Sequence, residues 1–267
     1  MNVLEKKKLY FTSDFHLGFP TEKISIVREK SVVAWLNHAA KDAHTIFLLG
    51  DIFDFWFEYK KVVPKGFVRM LACIANITEK GVEVCVFPGN HDLWYLDYLV
   101  KECGVKICHQ ATELRHMDKV FYLHHGDGLG SGELFYRLLK KVFLFAPAKY
   151  LFRWLHPDIG VIVAQFLSKN SRHSQKRHKG DNYLGDNKEF LTQFAQKHHE
   201  QQILNHTKDN KVLVPDFYIF GHRHLVLNIK LQGGATYINL GDWLNTQQYA
   251  VFDGNTVELK PWPNENP

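Results

Sequence analysis

Short apolar runs recur along the chain, and five of them end at a cluster of polar residues. Runs of this length, bounded by Gly, Asp or Asn, indicate buried β-strands. The five runs lie at 9–11, 45–49, 82–87, 120–123 and 217–220. Helical spacing predicts helices over 22–41, 66–80 and 96–102, and later strands are predicted near 228–231, 236–240, 249–252 and 256–260. Helices that alternate with strands early in the chain, followed by successive strands, indicate an α/β fold.

The polar clusters at the five strand ends carry carboxylate, imidazole and carboxamide groups but no cysteine. They are Asp14-Phe-His16, Gly50-Asp51, Gly89-Asn90-His91-Asp92, His125-Gly-Asp127 and Gly221-His222-Arg-His224. In layered α/β folds ligands bind beyond the carboxyl ends of the strands, so these clusters can converge at one edge. Such ligands suit divalent ions such as Mn²⁺, Fe²⁺ or Zn²⁺. A single cluster often marks only a turn, but the five together predict a dinuclear site that hydrolyses phosphorus esters.

The order of these clusters resembles the calcineurin-like metallophosphoesterase superfamily, whose pattern is D-x-H, G-D, G-N-H-D/E, a later H, and G-H-x-H. The resemblance implies a four-layer α/β/β/α sandwich and two divalent ions, with Mn²⁺ favoured. It implies that Asp51 bridges the ions, that His91 is a catalytic imidazole facing the phosphate, and that Asp92 orients His91. The implied ligands of one ion are Asp14, His16 and His224, and those of the other are Asn90, His125 and His222.

A narrower resemblance connects the chain to the UDP-2,3-diacylglucosamine hydrolases of lipid A synthesis. It rests on the segments 13–17, 50–56, 125–128 and 239–243 and covers most of the chain. The implied reaction is attack on the α-phosphorus of UDP-2,3-diacylglucosamine, which releases UMP and 2,3-diacylglucosamine 1-phosphate. One position departs from that family, because His91 stands where its members usually carry Arg. The reaction class is therefore better supported by the sequence than the lipid substrate.

A long insertion over 130–212 interrupts the alternation of strands and helices, and its apolar residues recur at helical spacing. We expect a core of 1–129 and 213–267 with a helical cap formed by the insertion. By resemblance to the lipid A hydrolases, or because their side chains donate hydrogen bonds, nine residues are expected to bind substrate. They are Asn90, His91, Glu133, Ser171, Arg172, Gln175, Lys176, His178 and His222.

Charge is concentrated in this insertion. The chain has a net charge of +5, and residues 137–179 contain ten Lys or Arg residues against the single acid Asp158. A long one-sided run of this kind favours an anionic partner. Aromatic residues such as Phe143, Tyr150 and Trp154 lie among these charges and are expected to line an acyl-chain groove or to rest on an anionic membrane surface.

The composition of the chain predicts the cellular compartment in which the protein acts. The chain has 267 residues and 45% hydrophobic residues, enough for a full core. Its first eight residues are polar and basic, which is atypical of a signal peptide, and no run reaches transmembrane length. The four cysteines lie outside the metal clusters and are expected to be reduced. We therefore expect a cytoplasmic enzyme, peripheral on the cytoplasmic face of the inner membrane, and no nucleic-acid partner because no stacking motif or recognition helix is present.

Three alternatives remain open from the sequence alone. The first is a phosphoesterase acting on another nucleotide diphosphate or phosphodiester, which would share every metal ligand but need no apolar cap. The second is a phosphoprotein phosphatase, whose open substrate groove this insertion would block. The third is a non-catalytic membrane-surface scaffold. The complete ligand set argues against the scaffold.

Overall fold

The computed structural model describes residues 8–130, 134–163, 183, 185 and 188–263. The strands are β1 (Lys8–Thr12), β2 (Ala43–Leu49), β3 (Glu83–Phe87), β4 (Lys106–Ile107), β5 (Thr112–His116), β6 (Lys119–Leu123), β7 (Phe217–Phe220), β8 (Val226–Lys230), β9 (Thr236–Leu240), β10 (Gln248–Phe252) and β11 (Val257–Pro261). The helices are α1 (Glu22–Ala39), α2 (Val68–Glu79), α3 (Tyr98–Cys103), α4 (Leu134–Leu144), α5 (Ala146–Trp154), α6 (157–163) and α7 (Phe190–Lys208).

Two mixed sheets stack face to face. The first has the strand order β11-β10-β1-β2-β3-β4. Strands β1 to β4 are parallel, and β10 is antiparallel to both of its neighbours, β1 and β11. The second has the order β5-β6-β7-β9-β8, with parallel β6, β7 and β9 between two antiparallel edge strands. The parallel strands carry the predicted metal clusters at their carboxyl ends, so the topology brings the clusters together.

Alternate side chains along each strand divide the interior into three apolar layers. Phe11, Phe47, Phe121 and Ile219 belong to the layer between the sheets. The opposite faces of the same strands pack against helices: α1 and α2 cover the first sheet, and α7 covers the second. This arrangement confirms the predicted α/β/β/α sandwich.

The long apolar runs were predicted correctly, whereas β4 and β5 were missed. β4 has only two residues, and β5 has the polar sequence Thr-Glu-Leu-Arg-His at a sheet edge. Its side chains alternate between half-buried and exposed positions. An edge strand with one solvated face carries too little apolar signal to be recognised from the sequence.

His198 and His199 lie in a helix of polar sequence, which predicts that they face solvent, but the structure packs both against the second sheet. His199 is 2% exposed, and its ring lies edge-on to Tyr218 of β7 with the centroids 5.9 Å apart. His198 is half-buried and its Nδ1 lies 3.1 Å from the Tyr218 hydroxyl. The stripe that begins with Leu191 and Ala195 continues through these histidines against the outer face of the second sheet. Helix α7 therefore packs as a layer of the sandwich, although it lies inside the predicted insertion; the domain boundaries themselves stay a prediction.

Helices α4 and α5 contact the core through aromatic side chains. Phe152 packs against Phe57 and Trp94 with ring centroids 4.6 and 5.2 Å away, and the Trp94 indole donates a 2.9 Å hydrogen bond to the carbonyl of Phe143. Other apolar side chains of these helices face solvent, including Leu151 at 70% and Trp154 at 75% exposure. The insertion thus combines an inner aromatic contact with an exposed apolar outer face.

All four cysteines are free thiols; Cys108 is half-buried, and Cys73, Cys85 and Cys103 are buried. Among the described residues, none of the helices combines the length and apolar composition needed to cross a membrane.

Phe11→Ala should lower the free energy of unfolding by about 3–5 kcal/mol, because it leaves a cavity between the sheets. Phe11 is fully buried and stacks on Phe47 and Phe121 with centroids 5.2 and 5.8 Å away. Urea unfolding provides the measurement. As a control, Val68→Ala alters a side chain that is 69% exposed and should change stability by less than about 0.5 kcal/mol. A loss below about 1 kcal/mol for Phe11→Ala would contradict this description of the core.

Candidate metal centre

The predicted metal ligands lie in the loops that follow β1, β2, β3, β6 and β7. Five of them have positive backbone φ angles: Asp14 (58°), His16 (45°), Asp51 (52°), His222 (69°) and His224 (52°). A non-glycine residue rarely adopts this left-handed conformation, which costs on the order of 1–3 kcal/mol and persists only where the surroundings enforce it. These loops are therefore held in a strained conformation that turns their side chains to one edge of the sandwich.

The first group of potential ligands consists of Asp14, His16 and His224. His224 Nε2 lies 3.2 Å and His16 Nε2 lies 3.7 Å from Asp14 Oδ1. The other oxygen of Asp14 accepts a 3.0 Å hydrogen bond from the amide of His222. One oxygen is thus fixed by the backbone, while the other faces the two imidazoles.

The second group consists of Asp51, His125 and His222. Asp51 Oδ2 lies 3.4 Å from His125 Nε2 and 3.8 Å from His16 Nε2, so this oxygen faces ligands of both groups. Its Oδ1 accepts a 2.9 Å hydrogen bond from the amide of His91. Asn90 belongs to the same side of the site, because its Oδ1 lies 3.3 Å from His125 Nε2. The structure therefore brings together all seven predicted metal ligands.

Glycines make this close approach possible. A Cβ atom on Gly89 would lie 2.1 Å from Asp51 Oδ1, and one on Gly221 would lie 2.5 Å from Asp14 Oδ2. A Cβ atom on Gly50 would lie 2.5 Å from His125 Nδ1. Only glycine leaves room for the converging side chains. Together with a donor set of oxygen and imidazole ligands, this geometry fits two divalent ions.

The charges of the site set the protonation of its histidines. Burial alone would lower the pKa of His125, but the charge of Asp51 and the hydrogen bond with it raise that pKa to about 10. Burial likewise opposes protonation of His224, whereas hydrogen bonds with Asp14 and Asp242 raise its pKa to about 10. Burial dominates at His16 and lowers its pKa to about 3. Without metal, the carboxylates thus attract protons to two of the imidazoles, as expected of a site built for cations.

Neighbouring groups orient the ligands. The Nδ1 atom of His125 lies 2.7 Å from the carbonyl of Leu49, and the Nδ1 atom of His224 lies 3.4 Å from Asp242 Oδ2. Such contacts fix the tautomer and orientation of a metal-binding imidazole. The buried Arg28 guanidinium donates 3.0 Å hydrogen bonds to the carbonyls of both Phe15 and His16, which stabilises the first ligand loop.

His91 is held by Asp54, which the sequence analysis did not identify. Its Nδ1 atom lies 3.3 Å from the Asp54 carbonyl and 3.6 Å from Asp54 Oδ1. The same carboxylate oxygen lies 3.8 Å from His16 Nδ1. His91 also forms a possible ligand group with His16 and Asp51, so its imidazole lies close to a member of each of the two groups described above. The position of Asp54 three residues after Asp51 was a signal in the sequence, but only the folded loop shows its partner.

The carboxylate of Asp92 is fully buried and contacts backbone amides. The expectation that it orients or charge-stabilises His91 stays a prediction. Five donors contact the carboxylate: the amides of Asp51, Ile52, Phe53 and Gly89 at 2.7–3.2 Å, and the hydroxyl of Tyr95. Burial and the charge of Asp51 raise the pKa of Asp92 to about 6. Asp92 therefore shapes the loop that carries the bridging carboxylate.

A cavity of about 320 Å³ opens beside His125, between the core and the helices of the insertion. Lys140 and Lys149 contribute its positive charge, and Leu93 and Leu144 contribute apolar surface. The predicted substrate-binding residues Asn90, His91 and His222 lie in the metal centre. The remaining ones lie outside the described residues, namely Glu133, Ser171, Arg172, Gln175, Lys176 and His178.

Residues 7–226 match the family model of calcineurin-like phosphoesterases. The chain belongs to this family. Membership of this family implies divalent metal ions, and the Asp and His groups described above provide suitable ligands. The phosphoesterase is therefore a metal-dependent hydrolase with the α/β sandwich of its family.

Among curated relatives, the phosphoesterase is similar to the UDP-2,3-diacylglucosamine hydrolase of Porphyromonas gingivalis, with 36% identity over 96% of this chain and 97% of the relative. It is 25% identical to the enzyme of the same name from Histophilus somni over 95% of this chain and 99% of that protein. Among solved structures, the phosphoesterase Yfce from E. coli aligns with a TM-score of 0.44 and 14% identity, covering 94% of this chain and 90% of that one.

Asp92→Asn should destabilise the metal-free phosphoesterase by about 3 kcal/mol or more. An amide has a single acceptor oxygen for five donors, and hydrogen bonds to a charged group contribute about 1.5–3 kcal/mol each. Urea unfolding in EDTA measures the loss. The control is Val68→Ala, which trims a side chain that is 69% exposed and should change stability by less than about 0.5 kcal/mol. Equal stability of the two variants would contradict the role assigned to Asp92.

Proposed function

We propose that the protein hydrolyses UDP-2,3-diacylglucosamine at the α-phosphorus and releases UMP and 2,3-diacylglucosamine 1-phosphate. One observation carries this proposal: the likeness to UDP-2,3-diacylglucosamine hydrolases extends over nearly the whole chain, insertion included, at 36% identity to one of them. The metal centre supplies the chemistry and the insertion supplies apolar and basic surface next to it. Two divalent ions, with Mn²⁺ favoured, would be held by the two ligand groups that share Asp51.

When bound, two divalent ions supply an activated water and neutralise phosphate charge. The side chains of the protein hold the ligand loops and act on the phosphate. Asp51 and Asp14 hold the ligand loops together through the amides of His91 and His222. His91, which Asp54 supports through Nδ1, is positioned to stabilise phosphate charge or to give a proton to the leaving oxygen through Nε2. No covalent intermediate with the protein is required.

The cavity beside His125 has the composition that a lipid-linked diphosphate requires. Lys149 suits the phosphate groups, whereas Leu93, Leu144 and Phe87 suit hydrocarbon. A second groove of about 230 Å³ continues this surface between Trp94 and helix α5, with Phe57 and Tyr150 in its lining. Hydrolysis of a small water-soluble diester would not need this apolar extension.

A second candidate function has one specific observation in its favour. His91 stands where lipid A hydrolases usually carry Arg, and it lies in a possible ligand group with His16 and Asp51. An imidazole at this position, in place of a guanidinium, suits hydrolysis of another nucleotide diphosphate or phosphodiester. The substrate therefore has to be decided by assay.

Mn²⁺-dependent release of UMP from UDP-2,3-diacylglucosamine is the test, with the unacylated UDP-sugar and a generic phosphodiester as comparison substrates. We expect release only from the acylated substrate. Asp51→Asn should reduce turnover by at least about 1,000-fold, because the shared ligand loses its charge while its shape is kept.

Two outcomes of this assay would count against the proposal. Cleavage of the phosphodiester without UMP release from the lipid would favour the second candidate. Activity of Asp51→Asn within a few-fold of the unmodified protein would rule out the two-ion site.

We also propose that the outer face of α4 and α5 rests on an anionic membrane surface. Trp154, Leu151 and Tyr150 are at least 60% exposed, and the basic side chains of Lys141 and Arg153 lie among them. Aromatic and aliphatic groups beside cationic ones are typical of helices that lie in the interface of anionic bilayers. A peripheral position on the inner membrane would bring the enzyme to a lipid-linked substrate.

Leu151→Ser combined with Trp154→Ser should weaken binding to phosphatidylglycerol vesicles by at least about tenfold, since each apolar side chain contributes about 1.5–3 kcal/mol when buried. Vesicle sedimentation measures the binding. The control is Val68→Ser on α2, which is 69% exposed but lies away from the cap. Undiminished sedimentation of the double variant, or an equal loss in the control, would count against the membrane proposal.

A further inference from the structure

Two buried ion pairs connect the ends of the insertion to loops that carry metal ligands. The first joins Asp127, two residues after His125, to helix α4. Asp127 is 2% exposed, and its Oδ2 accepts hydrogen bonds from the Tyr136 hydroxyl at 2.5 Å and from Lys140 Nζ at 2.6 Å. Tyr136 and Lys140 are four residues apart and so lie on the same face of the helix. We name this contact the exit pair, because the chain leaves the core here.

The second pair lies where the chain returns to the core. Arg223 stands between His222 and His224. Its Nε atom donates a 3.0 Å hydrogen bond to Glu189 Oε2, and its Nη2 atom donates one of 3.0 Å to Glu189 Oε1. Glu189 is 2% exposed and immediately precedes α7. The guanidinium also lies 5.8 Å from the ring centroid of Phe190. We name this bidentate contact the return pair.

The return pair acts on a strained loop. His222 and His224 both have positive φ angles, and they belong to different ligand groups. A planar guanidinium held by two hydrogen bonds fixes direction as well as distance, which a single point charge does not. The Arg223 side chain therefore holds the backbone that sets the separation of the two histidines, and it does so from a fixed point just before α7.

We propose that Arg223, Glu189 and Asp127 are positioning residues that couple docking of the insertion to metal affinity. The ligand loops keep their strained conformation only while the insertion is anchored, and bound metal in turn stabilises the anchors. This reciprocity follows because a coupling free energy between two binding equilibria acts equally in both directions. The proposal rests on the metal ligands of the proposed function, but not on the identity of the substrate.

The test uses the full-length protein and Mn²⁺ as the probe. Arg223→Lys keeps the positive charge but loses the two parallel hydrogen bonds of the guanidinium. Glu189→Gln keeps the shape of the side chain but loses its charge. Asp127→Asn removes the negative charge from the exit pair. Each should raise the Kd for Mn²⁺ by about tenfold or more, the effect typical of losing a partner that orients a metal ligand. Isothermal titration calorimetry measures the Kd. The EPR signal of a coupled Mn²⁺ pair should give way to that of isolated ions in Arg223→Lys at equal loading.

The matched control is Arg69→Ala on α2. Like Arg223, Arg69 forms an ion pair with a buried glutamate, because its Nη1 atom lies 3.4 Å from Glu29 Oε2. Unlike Arg223, it lies outside the ligand loops. Its Kd for Mn²⁺ should stay within about twofold of the unmodified protein, because none of its contacts reaches a metal ligand. Circular dichroism and thermal unfolding in EDTA establish the metal-free stability of every variant.

Each outcome has a defined meaning. Weaker Mn²⁺ binding with an unchanged metal-free melting temperature supports the positioning role. Unchanged affinity, a loss that follows lowered stability, or an equal loss in Arg69→Ala overturns it. If the unmodified protein binds no Mn²⁺, the ligand assignment itself fails. If Mn²⁺ binding behaves as expected and the lipid is not hydrolysed, only the proposed substrate fails.

Discussion

The carboxylate of Asp51 is the group on which the rest of the site depends. One of its oxygens is fixed by the amide of His91, which leaves the other facing His16 and His125 from separate ligand groups. Such an arrangement buries negative charge and places the backbone in a left-handed conformation, both of which cost free energy. Neighbouring structure offsets this cost. Asp92 gathers the amides of the same loop, and Gly89 leaves the space that the carboxylate occupies.

The fold explains how so many ligands reach one point. Parallel strands in both sheets end at the same edge, so five of them each contribute one loop to the centre without a long excursion of the chain. Buried aromatic layers on both faces of each sheet hold the strand ends in register. A rigid scaffold with short polar loops is how a hydrolase can place side chains closely enough to act together.

The insertion gives this general centre its particular character. Its inner face packs against Phe57 and Trp94 and is tied to the core by charged groups, while its outer face leaves Trp154 and Leu151 exposed. Shielding the metal centre from water requires only the inner face of the cap and does not account for the exposed apolar residues on its outer face. An apolar and basic cap beside a phosphoesterase centre is consistent with an amphipathic substrate whose phosphate and hydrocarbon parts need different surroundings.

The sequence by itself determined the fold class and predicted the residues that the structure brings together as possible metal ligands. Long buried strands leave a strong apolar signal, and Asp14, His125 and His222 stand directly after such strands, so ligand type and position can both be read from the order of residues. Strand β5 could not be read in this way because one of its faces is solvated and its sequence is polar. The burial of His199 could not be read either, because it depends on Tyr218, which another strand supplies. The tertiary structure alone decided that Asp92 serves the backbone and Asp54 serves His91, since neighbours in sequence can point in opposite directions. It also decided which charges meet across the insertion, because an ion pair such as that of Glu189 and Arg223 exists only once the packed helices bring its members together.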